Sequence, residues 1–170
     1  MSSTDSAVSI LDDSRDDERE HIVELLTKAY WMEIETVMNY VAGSINPDGV
    51  RARRIAASLE EDIQEELGHA KLFGQRIKEL YGVVPSSTEF NAEQEFMRPP
   101  VHQTDVVGLI RGVIAAESGA IEHYTQIIAE TERIDPVTQD MVIDILHDEE
   151  GHRRLFEGFL REYAREGSAS

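Results

Sequence analysis

The chain has 170 residues and no cysteine, and its 34 acidic residues outnumber 16 basic ones to give a formal net charge of −18. A chain of this length can bury a substantial apolar interior as one domain. The absence of cysteine excludes disulfides, iron–sulfur clusters and thiolate metal sites. So acidic a surface repels nucleic acid and anionic membranes. We interpret it chiefly as a solvated, halophilic surface suited to high intracellular salt, and secondarily as a field that attracts cations.

The first half of the sequence predicts an acidic tail followed by two long helices. Residues 1–17 are rich in Ser and Asp and poor in apolar residues, so we expect a flexible tail. Apolar residues at helical spacing predict helix A over Glu18–Ser44, which ends at the turn sequence Asn-Pro-Asp-Gly. The same spacing predicts helix B over Val50–Tyr81, and Gly82 is placed to end it.

The second half predicts a long connection and two more helices. Residues 83–103 contain three prolines and predict a crossover, with a candidate short helix in residues 87–96. Helix C is predicted over Thr104–Arg133 with Thr104 as its N-cap, and helix D over Pro136–Arg165. No alternating β pattern occurs. The predicted fold class is therefore all-α, a four-helix bundle over residues 18–166 with one long crossover connection between helices B and C.

Charged residues interrupt the apolar stripes of all four helices. Helices B and D each carry Glu-x-x-His, a spacing that puts both side chains on one side of the helix, one turn apart. An isolated ionised carboxylate is too costly to bury, so four carboxylates at one level need a shared partner. Two divalent cations would neutralise them, and two neutral imidazoles complete the ligands of a dinuclear metal site. The candidate metal ligands are Glu33, Glu66, His69, Glu117, Glu149 and His152.

An internal repeat indicates that the two Glu-x-x-His motifs and their partner acids do not occur together by chance. The Glu-x-x-His of helix B recurs 83 positions later in helix D (149 − 66 = 83). Glu33 and Tyr40 of helix A are matched by an acid and a tyrosine 84 positions later in helix C (117 − 33 = 84). A further match, Glu18-x-x-His21, has no second copy, and we interpret it as a solvated helix end. The alternative, core polar groups that merely satisfy one another, is disfavoured because unpaired buried carboxylates are costly.

The stretch Asp148-Glu149-Glu150-Gly151-His152, with Glu33 to Tyr40 upstream, resembles the metal-binding pattern of bacterioferritins and of the archaeal Dps-like proteins that share their di-iron site. The resemblance covers residues 18–165. It implies a ferritin-like bundle with two Fe ions (Fe2+/Fe3+) per chain, manganese being the other candidate. It further implies that Tyr40 supplies an electron or a hydrogen bond, and that Asp148 orients a ligand histidine. The implied ligand roles are bridging for Glu66 and Glu149, terminal for Glu33 and Glu117, and one metal each for His69 and His152.

Departures from the pattern refine these expectations. Leu67 stands where bacterioferritins have their haem-ligating methionine, so no haem is expected. Glu65 stands where an Asp is usual beside the bridging Glu. The eighteen residues after His152 (170 − 152 = 18) offer no obvious fifth helix, which favours the dodecameric shell of the Dps-like branch. The cysteine pair that this branch often carries is absent.

Three functions are therefore predicted, in order of preference. The first is iron oxidation and storage by a ferroxidase site, using dioxygen or hydrogen peroxide, in a homo-oligomer. The second is removal of peroxide without storage, by a rubrerythrin-like di-iron or manganese-catalase-like enzyme. The third is a non-enzymatic helical assembly or DNA-protecting module, although the acidic surface argues against direct DNA binding. The sequence lacks a leader pattern and a bilayer-spanning apolar run, so we expect a cytoplasmic protein without membrane contact.

The remaining histidines are given no role in this site. His123 is predicted to lie at the surface or to contact a ligand of the site without binding metal itself, His147 to lie at the surface and His102 in a loop.

Overall fold

The computed structural model describes residues 8–166, and four long helices account for most of them. These are α1 (Asp16–Ile45), α2 (Ala52–Glu79), α3 (Val106–Thr131) and α4 (Pro136–Glu166). Short 3-10 turns lie at Asp13–Arg15, Ser87–Glu89 and Glu95–Met97. No strand occurs in this part of the chain. The all-α four-helix bundle with a crossover between the second and third helices is confirmed.

Two helical hairpins pack together, and the crossover fastens onto α1 and α3. α1 lies along α2, and α3 lies along α4. The Glu35 carboxylate of α1 accepts hydrogen bonds from the backbone N–H groups of Glu93 at 2.9 Å and Gln94 at 2.8 Å. Met97 of the crossover is buried with the apolar residues of α3. The crossover is therefore anchored by its backbone and by one apolar side chain.

The core consists of two apolar clusters with a polar layer between them. Every long helix contributes to both clusters; Ile55 and Phe156 belong to one, and Phe73 and Tyr124 to the other. On each helix, the residues of the two clusters are separated by the position where a predicted metal ligand stands. The apolar stripes thus hold the four helices in register and place their acidic interruptions at one level.

The helix ends correct two predictions. Asp105, and not Thr104, caps α3, because its carboxylate accepts a hydrogen bond from the Gly108 N–H at 2.8 Å. Gly82 follows the end of α2, but the left-handed residue is Tyr81, with φ of 64°. Gly82 is needed for close packing, since an added Cβ would lie 2.8 Å from Val23 Cγ1. The candidate short helix in residues 87–96 is instead a pair of 3-10 turns near the ends of that stretch.

A buried ion pair fastens the end of α2 to the start of α4. Arg76 donates from Nη2 to both oxygens of Asp135, at 2.8 and 3.0 Å, and from Nε to Thr138 Oγ1 at 2.8 Å. Asp135 also accepts the Thr138 N–H and so caps α4. Because both charges are buried and bonded, the pair fixes how the two hairpins dock.

The predicted acidic tail ends earlier than residue 17. Residues 13–15 form a 3-10 turn, α1 begins at Asp16, and Ile10 is buried in the second apolar cluster. The rest of that prediction, residues 1–7, lies outside the described residues. Within residues 8–166, no helix has both the length and the hydropathy needed to cross a bilayer.

Candidate metal centre

The six side chains predicted to hold metal converge in the polar layer between the two apolar clusters. None of them is more than 8% exposed, and Glu66 is fully buried. They form two groups, in each of which one ligand atom per residue lies within 4.8 Å of the others. Both groups contain Glu66 and Glu149, so these two carboxylates would be shared if each group held an ion. The groups are Glu33, Glu66, His69 and Glu149, and Glu66, Glu117, Glu149 and His152.

Atoms at the centre of this layer lack hydrogen-bond partners among the described residues. They are both oxygens of Glu66, Oε1 of Glu149, and Nδ1 of His69 and of His152. His69 Nδ1 lies 3.1 Å from Glu149 Oε1, and His152 Nδ1 lies 3.3 Å from Glu66 Oε1, but the alignment is not that of a hydrogen bond. Buried polar atoms are rarely left in this state. Their convergence fits a pair of metal ions, and imidazole with carboxylate suits iron, manganese or zinc.

Each ring is held from its other nitrogen by an acid of the opposite hairpin. His69 Nε2 of α2 lies 3.4 Å from Asp148 Oδ2 of α4. His152 Nε2 of α4 lies 3.1 Å from Glu65 Oε2 of α2. Such acids fix the tautomer of a ligand histidine, so that Nε2 carries the proton and Nδ1 offers its lone pair to the centre. Glu65, the acid that departs from the resembled pattern, thus contacts His152 in the same way as Asp148 contacts His69.

Two buried tyrosines donate hydrogen bonds to Glu33 and Glu117, which each belong to only one of the two groups and are called the outer carboxylates. Each of these bonds joins one hairpin to the other. The Tyr40 hydroxyl of α1 donates to Glu117 of α3, and the Tyr124 hydroxyl of α3 donates to Glu33 of α1. Both tyrosines are fully buried. Tyr40 was predicted beside the site. Tyr124 was noted as the repeat of Tyr40 but was given no role. Because the repeat relates the two tyrosines, the same contact with a carboxylate could have been predicted for Tyr124.

The outer and central carboxylates differ in their preference for a proton. The pKa values of Glu33 and Glu117 are raised well above the ordinary value, first by burial and then by the negative charges of Glu66 and Glu149. Burial also raises the pKa of Glu149, but contacts with the two histidines outweigh it and lower that pKa to about 2. Without metal, burial therefore shifts the outer pair towards the protonated form, whereas Glu149 is ionised at neutral pH.

The two histidines are protonated when no metal is bound. Burial lowers both pKa values, but contacts with the carboxylates of Glu149 and Glu66 outweigh it. The net effect raises the pKa of His69 to about 10 and that of His152 to about 12. A metal ion must therefore displace a proton from each ring.

Comparison with known proteins identifies the family of this fold and ligand set. Residues 23–165 match the sequence profile of the ferritin-like domain. The chain belongs to the ferritin-like family. It is 29% identical over 143 residues to the "DNA protection during starvation protein" of Pyrococcus furiosus, with 83% of this chain and 77% of that protein covered. It is 26% identical over 145 residues to the bacterioferritin of Desulfovibrio desulfuricans, with 85% and 76% covered.

A solved structure extends the likeness to the whole bundle. The dodecameric thioferritin of Bacteroides fragilis superposes with a TM-score of 0.75 at 26% identity, covering 89% of this chain and 90% of that one. The resemblance to bacterioferritins and Dps-like proteins, predicted from the repeated motifs, is confirmed.

One acid of this ferritin-like site was missed from the sequence. Asp62 is 8% exposed, its Oδ1 lies 3.9 Å from His152 Nε2, and its Oδ2 has no partner among the described residues. Burial raises its pKa to about 6, although the nearby His152 opposes the shift. Asp62 stands one turn before Glu66 on the same face, and that spacing could have revealed it. The repeat places Ile145 at the equivalent position (62 + 83 = 145), so the acid breaks the symmetry of the centre.

The other histidines of this ferritin-like chain lie away from the centre. His147 is exposed, as predicted, and His102 lies in the crossover loop, as predicted. His123 is not a surface residue, because it is 4% exposed and its Nε2 donates to the Leu25 carbonyl at 2.9 Å. Its hydrogen bond to α1 could not be predicted from the spacing of apolar residues along α3 alone.

Proposed function

We propose that this protein is a cytoplasmic ferroxidase that binds two Fe(II) ions per chain, oxidises them with dioxygen or hydrogen peroxide, and retains the Fe(III) product. The observation that carries the proposal is the convergence of four carboxylates and two imidazoles whose central atoms find no hydrogen-bond partner within residues 8–166. Membership of the ferritin-like family and the likeness to a bacterioferritin support it.

The donor set suits a substrate whose charge increases during the reaction. Each Fe(II) gives up one electron, so one pair reduces one hydrogen peroxide with two protons to two waters, or one dioxygen with two protons to hydrogen peroxide. Four carboxylates balance two Fe(II) ions and still attract the more highly charged Fe(III) product. Glu66 and Glu149 would bridge the two ions, and Glu33 and Glu117 would be terminal ligands. Tyr40 donates a hydrogen bond to Glu117 and would hold that ligand in place.

Ligand substitution tests the assignment directly. Glu66→Ala or Glu149→Ala should abolish paired binding of Fe(II) and fast oxidation, because each removes a carboxylate shared by both ion positions. Glu150→Ala is the matched control, since Glu150 is an exposed acid next to Glu149 on α4. Stopped-flow absorbance of Fe(III) formation measures the rate. Fast oxidation retained in either ligand variant would contradict the assignment.

The storage part of the proposal requires a closed shell. Support comes from the dodecameric thioferritin of Bacteroides fragilis, and we propose a twelve-subunit assembly for this chain. Light scattering would give the native mass, and stepwise addition of Fe(II) with oxidant would give the amount of soluble, protein-bound Fe(III). Uptake far beyond two ions per chain is expected for a shell. Uptake that stops near two would leave a dinuclear redox enzyme without storage.

A manganese-dependent peroxide-removing enzyme is the second candidate, because carboxylate and imidazole donors also suit manganese. Protein loaded with manganese alone, and free of iron, should then disproportionate hydrogen peroxide catalytically. The absence of oxygen evolution from that sample would remove this candidate. The name of the Pyrococcus relative mentions DNA protection, but the net charge of −18 opposes direct contact with DNA.

A further inference from the structure

The two candidate metal-binding groups have the same make-up, but the surroundings of their histidines differ. Each group consists of one histidine, one outer carboxylate and the two shared carboxylates. The ring of His69 contacts Asp148 at 3.4 Å, and the ring of His152 contacts Glu65 at 3.1 Å. The side chains of Asp148 and Glu65 are 40% and 46% exposed, so solvent screens both charges to a similar extent.

A third acid, Asp62, lies beside one of the two rings. Its Oδ1 is 3.9 Å from His152 Nε2, and Asp62 forms a compact acidic group with Glu65 and His152. The corresponding group around His69 contains Glu65 and Asp148. Glu65 therefore lies near both rings, and within residues 8–166 Asp62 is the acid that distinguishes the surroundings of His152.

Asp62 also differs from the two exposed acids in its burial. It is 8% exposed, and its Oδ2 has no hydrogen-bond partner among the described residues. The 83-residue repeat places the buried, uncharged Ile145 at the equivalent position of α4. Water and salt screen a buried charge much less than an exposed one, so the Asp62 carboxylate acts more strongly on a nearby cation.

The charge of Asp62 favours the exchange of a proton for a metal ion at His152. A divalent ion that binds at Nδ1 brings two positive charges, and the proton that it displaces removes one. The exchange therefore adds one positive charge beside the ring, which a buried carboxylate attracts. A cation nearby also keeps that carboxylate ionised. The same exchange at His69 has no such buried acid outside the ligand set in the described part of the chain.

We propose that the Asp62 carboxylate makes the two ion positions unequal, so that the position of His152 binds the first ion and holds it more tightly than the position of His69. This inference rests on the proposed function and adds to it an order of loading. An opposite charge a few ångströms away shifts the equilibrium of an ionisable group by about one to three powers of ten. Because the ion would lie on the far side of the ring, we expect a difference in affinity at the lower end, roughly tenfold.

Crystals of the full-length protein loaded with one Zn(II) per chain test the proposal. Anomalous scattering at the zinc absorption edge gives the occupancy of each position separately. For independent positions, a tenfold difference in affinity at one ion per chain corresponds to occupancies of about three to one, with the larger at His152. Asp62→Asn removes the charge and keeps the shape, so its two occupancies should be about equal. Glu61→Gln removes an exposed neighbouring acid and should keep the wild-type ratio.

A second variant separates charge from shape. Asp62→Ile places at this position the residue that the repeat has on α4, and it should also give about equal occupancies. Thermal melting of each variant checks that the fold is kept. An unequal ratio that persists in Asp62→Asn would overturn the proposal, whether or not Asp62→Ile loses it, because the charge of Asp62 would then not be the cause.

The wild-type result distinguishes this inference from the proposed function. Zinc shared equally between the two positions would overturn the inference and leave the dinuclear centre intact. A larger occupancy at His69 would overturn it as well. Zinc at neither position would contradict the dinuclear centre itself, and the inference with it. Because zinc is redox-inert, none of these outcomes depends on whether the loaded protein oxidises iron.

Discussion

Loading the centre with a redox-inert ion should release protons from its two histidines. Burial lowers the pKa values of His69 and His152, but contacts with the carboxylates of Glu149 and Glu66 outweigh it and raise them to about 10 and 12, so both rings are protonated at pH 7 without metal. A ring that binds Zn(II) through Nδ1 must give up its proton. Burial and neighbouring negative charges also raise the pKa values of Glu33 and Glu117, so any protons that these carboxyls hold would add to the release. Binding two Zn(II) should therefore release at least two protons per chain.

A pH-stat titration measures this release directly. Metal-free protein in unbuffered salt at pH 7 receives Zn(II) stepwise, and the alkali needed to hold the pH is counted against the ions bound. The slope should be at least one proton per ion over the first two ions. The Glu66→Ala variant is expected to lose the steep phase. A wild-type release below about one proton per chain would refute the charge states assigned here.

Three further predictions concern stability. Tyr124→Phe should lower the free energy of unfolding by about 1–3 kcal/mol, because buried Glu33 loses its donor; an unchanged urea midpoint would contradict this. Arg76→Ala should lower the free energy of unfolding by about 3–5 kcal/mol, because the buried Asp135 carboxylate loses its cation. Arg98→Ala, which removes an exposed arginine, should change that free energy little, and equal urea midpoints for the two variants would contradict this reasoning. The metal-free protein should melt at lower temperature as pH rises above 6.5, because the site histidines, with folded pKa values of about 10 and 12, keep protons that the unfolded chain loses. A melting temperature that stays constant from pH 6 to 10 would show that the rings are neutral.

The sequence predicted the bundle and its six converging side chains because both follow from spacing along single helices. Apolar periodicity identified the four helices, and the acidic interruptions of the stripes identified Glu33 and Glu117 beside the Glu-x-x-His motifs. A buried carboxylate is so costly that its presence on an apolar face is informative without a structure. The repeat then tied the two halves of the chain to one site.

Contacts between helices were harder to predict. The bonds from Tyr124 to Glu33 and from His152 to Glu65 join different hairpins, so they depend on how each helix is rotated against its neighbours. Periodicity fixes a face within one helix and leaves that rotation open. The burial of His123 has the same origin, since its partner is a backbone carbonyl of α1. Thr104 was mistaken for the cap because either of two adjacent polar residues satisfies the capping rule.

The crossed partners also determine how the bundle can open. Each of the two candidate metal-binding groups takes three residues from one hairpin and one from the other, and each tyrosine and each orienting acid reaches across the same boundary. Bound ions would therefore hold together the two hairpins, whose covalent link is a single crossover. In the metal-free chain, separation of one hairpin from the other would break only protein contacts along this boundary, among them the bonds of the tyrosines and the orienting acids. In the loaded chain that opening requires ions to be released first, so the amide hydrogens of all four helices should exchange with solvent as one cooperative unit.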